Sequence, residues 1–171
     1  MSVRFVPYVY DSTGSSVPVT ISRMTIEDAE STNTFPKWQT SWTSDFLLQD
    51  SFKCYAVKVG DELIALAAYE IQDSLLIVHI VYMESQPQSN PTMTDIRKYT
   101  GIGRLLIAYG IKLSVDNGFG GDVVLKAKSS ELEQHYINDF GAVKLPVFDA
   151  GAPRYIIADE AAKQILFSFL S

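Results

Sequence analysis

A mixed α/β fold follows from three features of this 171-residue sequence. Strand-like apolar runs succeed one another closely between residues 52 and 84. The third of them, "SLLIVHIVYME" (74–84), is apolar nearly throughout, as a central strand covered on both faces requires. A glycine-punctuated loop at 98–103 then opens a helix-periodic stretch leading into "DVVLKAK" (122–128). A helix between two strands is a crossover, so those strands are expected to lie parallel. The expectation is a central sheet of about six to seven strands, antiparallel at first, with a parallel step around residues 75–127 and helices flanking it.

The elements follow in order. "RFVPYVYD" and "SVPVTISRM" read as short strands around the turn-rich "DSTGSS". "TIEDAEST" is a short helix, and "NTFPKWQTSWTSDF" an irregular aromatic segment. "CYAVKV" turns at Gly60-Asp61 into "ELIALAAYEI", and Gln72-Asp73 turns that into the central strand. "SQPQSNPTMTDIRK", polar and with two prolines, is a loop. From Ile102, Leu105, Leu106, Tyr109 and Leu113 recur at helical spacing, with Arg104, Ala108 and Lys112 on a more polar face and Asn117-Gly118 as the stop. "SSELEQHYINDF" carries Ser130 and Glu133 at capping-box spacing and sets Leu132, Tyr136 and Phe140 on one side. "PRYIIAD" is a last strand, and "EAAKQILFSFL" a terminal helix with Ile165, Leu166 and Phe169 on one face. No repeat or linker divides the chain, so one domain over 1–171 is expected.

Composition narrows the function. Apolar residues make up 47% and charged residues 20%, a globular balance. A net charge of −6, with no basic run longer than Arg97-Lys98, argues against a nucleic-acid backbone as ligand. The same charge attracts cations, which favours an amine substrate. Cys54 is the single cysteine, so no internal disulfide forms; a small buried hydrophobe suits its strand, and only His79 and His135 are available to activate it. The N-terminus does not read as a signal peptide and the apolar runs are shorter than a membrane span, so a soluble cytoplasmic protein is expected.

Gly101 and Gly103 sit where a long helix begins, and that placement suits an anion site. First-turn N–H groups lack intrahelical acceptors, the helix dipole is positive there, and glycine removes the Cβ that would hold a phosphate away. A bare structural turn is the alternative. "GIGRLL" lacks the third glycine of the dinucleotide fingerprint, and no Gly-Lys-[Ser/Thr] is present for a nucleoside triphosphate loop.

In these residues the chain resembles the GNAT superfamily of N-acetyltransferases. Lys98-Tyr99-Thr100-Gly101-Ile102-Gly103 fits the family's [Gln/Arg]-x-x-Gly-x-[Gly/Ala] loop, with Lys98 in place of the usual first residue. "HYINDFGAV" supplies Tyr136, Gly141 and Ala142 of a second motif, and the element order matches over roughly residues 52–158. The resemblance implies acetyl-CoA as co-substrate and no metal. Its pyrophosphate would be held by Lys98, Tyr99, Thr100, Gly101, Ile102, Gly103 and Arg104; Lys126 and Lys128, at the end of a strand, either approach the phosphates or are simply solvated. Pantetheine would pair with main chain near Val81 to Glu84, including Tyr82 and Met83, in a wedge where the fourth and fifth strands splay.

Acetyl transfer to a primary amine needs a proton acceptor for the ammonium and a donor for the departing thiolate. The resemblance points to Tyr136 as the general acid; its apolar face also suits a core aromatic. Glu84 and His79 are the two candidates for the base. Glu84 could equally be a solvated strand end, and His79 a structural histidine. His135 reads as surface. Trp38, Trp42 and Phe46, four residues apart, suit either an aromatic lip over an amine or core packing. Small-molecule and protein amines both remain open as acceptors, the terminal helix could make a homodimer contact, and a catalytically inactive CoA-binding or protein-interaction module is the alternative reading.

Overall fold

A computed structural model describes residues 3–127, 129–146 and 153–171. Along the chain run β1 (Tyr8–Asp11), β2 (Ser16–Pro18), β3 (Thr20–Arg23), α1 (Ile26–Ser31), β4 (Phe52–Val59), β5 (Glu62–Gln72) and β6 (Ile77–Ser85). They are followed by β7 (Tyr99–Thr100), α2 (Ile102–Asp116), β8 (Val123–Lys126), α3 (Ser130–Phe140), β9 (Val143–Lys144), β10 (Arg154–Ile157) and α4 (Asp159–Phe167). Seven strands form a mixed sheet in the order β3-β4-β5-β6-β8-β10-β9, and β2-β1-β7 form a smaller one.

The parallel step lies where the sequence places it. Val78, His79 and Ile80 of β6 pair in parallel with Val123, Val124 and Leu125 of β8, and β6 runs on for five residues beyond that pairing. "SVPVTISRM" is not one strand. Pro18 cannot donate to a ladder, the Val19 N–H bonds the Pro7 carbonyl at 3.2 Å, and the chain changes sheets there.

The chain packs as two compact units, whose boundaries fall inside β5, β6 and α2. One comprises Val6–Ala68 and Tyr82–Leu106, with Trp42, Leu47, Val57, Ile64 and Leu66 in its core. Here α1 is closed by a capping box between Thr25 and Asp28. Burial alone would raise the Asp28 carboxyl. The Thr25 N–H and hydroxyl and the Lys58 ammonium at 2.9 Å outweigh it and hold Asp28 below its ordinary range.

The other unit gathers 69–81 and 107–171 with the first residues of the chain, around Tyr69, Ile107, Ile111, Leu125, Tyr155 and Ile157. Gly110 lets α2 approach its neighbours closely: a Cβ there would stand 3.1 Å from the Tyr69 ring and 3.2 Å from Ile80. Three sequence expectations need correction. Ala108, assigned to a polar face, is fully buried, because this part of α2 is covered nearly all round. Leu132 is exposed, while Tyr136 and Phe140 are buried as expected. The N-cap of α3 is Ser129, whose hydroxyl accepts from the Leu132 N–H at 3.1 Å, one residue before the expected Ser130. Among the described residues, no helix is long and apolar enough to cross a membrane.

Candidate functional site

The glycine loop is built on β7. Thr100 and Tyr99 pair with Tyr10 and Asp11 of β1, the Lys98 N–H bonds the Gln88 carbonyl at 2.9 Å, and the Tyr99 N–H bonds the Ser89 hydroxyl at 3.1 Å. The amides of Lys98 and Tyr99 thus serve the loop's own framework. Gly101 follows at φ +81°, a left-handed angle that L side chains rarely hold, and its carbonyl accepts the Leu105 N–H. Ile102 and Gly103 therefore open the helix, and their N–H groups point along its positive end. A Cβ on Gly101 would touch the Tyr10 ring at 3.4 Å; one on Gly103 would meet nothing within 4 Å. The two glycines differ: Gly101 makes the turn, and Gly103 lies in the first turn of the helix with room for a Cβ.

Side chains around the loop are partly committed. Lys98 forms a bidentate ion pair with Glu62 at 2.8 and 3.0 Å, and that bond raises the Lys98 pKa above its ordinary value. Burial and the neighbouring Tyr10 hydroxyl and charge push the Tyr8 phenol up, while Arg104 pulls it down. Lys128 lies outside the described residues.

At the end of β6, Glu84 is only 5% exposed. Its Oε2 accepts the Gln39 N–H at 2.6 Å, and its Oε1 accepts the Trp42 indole N–H at 3.0 Å. Tyr82 shares a hydrogen bond with Thr40 at 2.7 Å and meets the Trp42 ring edge-on at 5.6 Å between centroids. Met83 beside them is half-buried. Of the three aromatics at four-residue spacing, Trp42 is wholly buried, Trp38 is half-buried, and Phe46 is exposed against Phe52. Core packing is what Trp42 does.

The polar loop after β6 contains buried Gln86, Ser89 and Asn90. Gln86 donates to the Ser89 hydroxyl, which in turn receives the Tyr99 N–H; Asn90 serves Thr92 and Gln39. None of these was singled out from sequence, because a polar loop residue looks the same whether solvated or internally bonded. Two prolines and two asparagine-type turn residues within ten positions are the signal that was there to use.

The other unit holds Tyr136 and His79. Tyr136 is 6% exposed, packed against Phe140, Tyr155 and His135, and burial raises its phenol above the ordinary tyrosine value. It is therefore a proton donor across the working range. His79 has its Nδ1 3.9 Å from a Glu70 oxygen. Burial lowers its basicity, Glu70 opposes that, and Lys126 and Arg154 add to it. The result is an imidazole that is neutral near pH 7. Tyr155 is wholly buried, and burial together with a hydrogen bond and charge from Glu133 pushes it up to about 12. His135 is a surface residue paired with Asp139. Cys54 is buried, with its Sγ 3.4 Å from the Leu47 carbonyl oxygen, and burial raises its pKa; this is the packing role, not a nucleophile's.

No family model matches the sequence, and no curated protein matches it. Solved structures do share its fold. The PaiA N-acetyltransferase from Thermoplasma acidophilum, in complex with coenzyme A, is 14% identical, with a TM-score of 0.58 over 82% of this chain and 99% of its own. The GNAT domain of S. lividans PAT is also 14% identical, with a TM-score of 0.58 over 88% of this chain and 95% of its own. An uncharacterized protein from Bacillus halodurans is 9% identical, with a TM-score of 0.60 over 97% of each chain. The fold of this chain is the GNAT fold, a mixed sheet with four helices.

Proposed function

We propose that this chain is an N-acetyltransferase that carries an acetyl group from acetyl-CoA to a primary amine. One observation carries the reading: in a GNAT fold, a left-handed glycine delivers the chain into a 15-residue helix with open space where a Gly103 Cβ would stand. Ile102 and Gly103 amides with the helix dipole suit a diphosphate there. The coenzyme A in the similar PaiA structure supports the same choice. A net charge of −6 favours a cationic acceptor.

The chemistry needs a base and an acid. His79, neutral and 3.9 Å from a Glu70 oxygen, takes the ammonium proton. The free amine attacks the thioester carbonyl and the C–N bond forms; the C–S bond breaks as Tyr136 gives its proton to the leaving sulfur, and the surplus proton on the adduct nitrogen restores the phenol.

Titration calorimetry with acetyl-CoA tests the reading; one binding site per folded chain is the expected result, and no heat from folded protein ends it. Thiol release over a panel of amines then separates an enzyme from a module that binds CoA without turnover. His79 also fixes a pH dependence. Its folded pKa is lowered, so kcat/KM should be full above the ordinary histidine value of 6.5 and fall only as pH drops through the lower one. A profile measured from pH 5 to 9 should therefore place the acid limb below 6.5, and His79→Gln should remove it.

A further inference from the structure

Burying a carboxylate costs free energy unless donors replace the lost water, so a Glu84 that is 5% exposed calls for an explanation. Its oxygens receive two N–H groups from one short stretch of chain, Gln39 and Trp42. That stretch belongs to no helix or strand, so it has no ladder of backbone bonds to hold it. What it has are single ties: Trp38 N–H to the Thr32 carbonyl, Trp42 N–H to the Thr32 hydroxyl, Thr40 to Tyr82, and the two bonds to Glu84. Of these ties only Glu84 takes two N–H groups on one side chain, so it is the one that joins both ends of the stretch. The indole N–H of a wholly buried Trp42 also needs an acceptor, and Glu84 is it.

The consequences reach outward through Gln39. Glu84 fixes its backbone, and its side chain then donates to Thr92 at 2.6 Å and accepts from Asn90 at 3.3 Å. Asn90 in turn holds Thr92 by two bonds. Exposed Gln39 and Thr92 thus take their positions from a buried carboxylate two residues after Tyr82.

We propose that Glu84 is a positioning residue: a buried anchor that holds the Gln39–Trp42 segment on the end of β6 and so sets the Gln39–Thr92 surface met by the amine. It exchanges no proton in the reaction. The assignment of that surface to the amine rests on the acetyltransferase reading; the anchor itself does not.

Glu84→Gln is the test, because it keeps the shape but offers only one acceptor oxygen to two donors. Amide exchange at residues 39–42 should quicken at least about tenfold, as a stretch losing its main tie opens more often. Tryptophan emission should move to the red. Acetyl-CoA affinity should stay within about twofold while the KM for the amine rises about tenfold, and the acid limb of kcat/KM should keep its midpoint. Unchanged exchange overturns the anchor. So does loss of the acid limb, which would make Glu84 the base. Should Glu84→Gln fail to fold, Trp42→Phe removes one donor alone and should quicken the same amides; if it does not, the proposal falls. Wild-type protein that binds no acetyl-CoA would sink the acetyltransferase reading and leave the exchange comparison to decide the anchor.

Discussion

Gly101→Val should abolish measurable acetyl-CoA binding, whereas Gly103→Ala should leave it nearly unchanged and make the protein more stable. The two glycines invite opposite accounts. A β-branched residue held at φ +81° costs on the order of 1–3 kcal/mol in strain, so the turn relaxes and swings the helix start away. Two amide bonds to a charged group would go with it, each worth about 1.5–3 kcal/mol, which is a loss of a hundredfold or more. Gly103 is under no such strain and lies in the first turn of α2, where alanine is the better residue by up to about 1 kcal/mol. Its melting temperature should therefore rise. The added methyl group meets nothing within 4 Å and the resembled loop admits alanine at this position, so affinity should stay within about twofold. Calorimetry and thermal unfolding on both variants check this. Should Gly101→Val bind as tightly as the wild type, no phosphate lies over the helix start.

The same contrast explains what the sequence disclosed. Periodicity reports which side of an element is apolar, so the run from Phe52 to Ser85, the helix after Gly101 and the parallel partner at Val123 were all legible. It is blind to ties between distant residues. Nothing in "VYMES" says that Glu84 will be enclosed by a tryptophan 42 positions earlier. Gly110 looks like a flaw in a helix until Tyr69 and Ile80 stand against it. Pro18, by contrast, was a readable break: a residue without an N–H in a run of strand formers should have divided "SVPVTISRM" into two. Of the site, the loop was legible because glycine has a conformational meaning of its own. The roles of Glu84 and Lys98 were not, since a carboxylate and an ammonium take their meaning from partners, here Trp42 with Gln39, and Glu62.

Tyr136→Phe should lower kcat about a hundredfold, within the range typical of lost proton transfer, and leave acetyl-CoA affinity within about twofold. Phenylalanine keeps the ring against Phe140 and Tyr155, so stability should change by less than about 1 kcal/mol. What disappears is a hydroxyl whose raised pKa keeps its proton in place until the pH passes well into the alkaline range. In the wild type, kcat should accordingly fall at high pH only above the ordinary tyrosine value of 10.0, and that limb should vanish in the variant. Tyr155 is the internal control, because it is wholly buried and its ring packs beside Tyr136. Phenylalanine keeps that ring contact, so Tyr155→Phe should retain activity. A slow Tyr155→Phe beside an active Tyr136→Phe would transfer the acid role to the neighbouring ring; two active variants would leave both tyrosines as packing and require another donor for the thiolate.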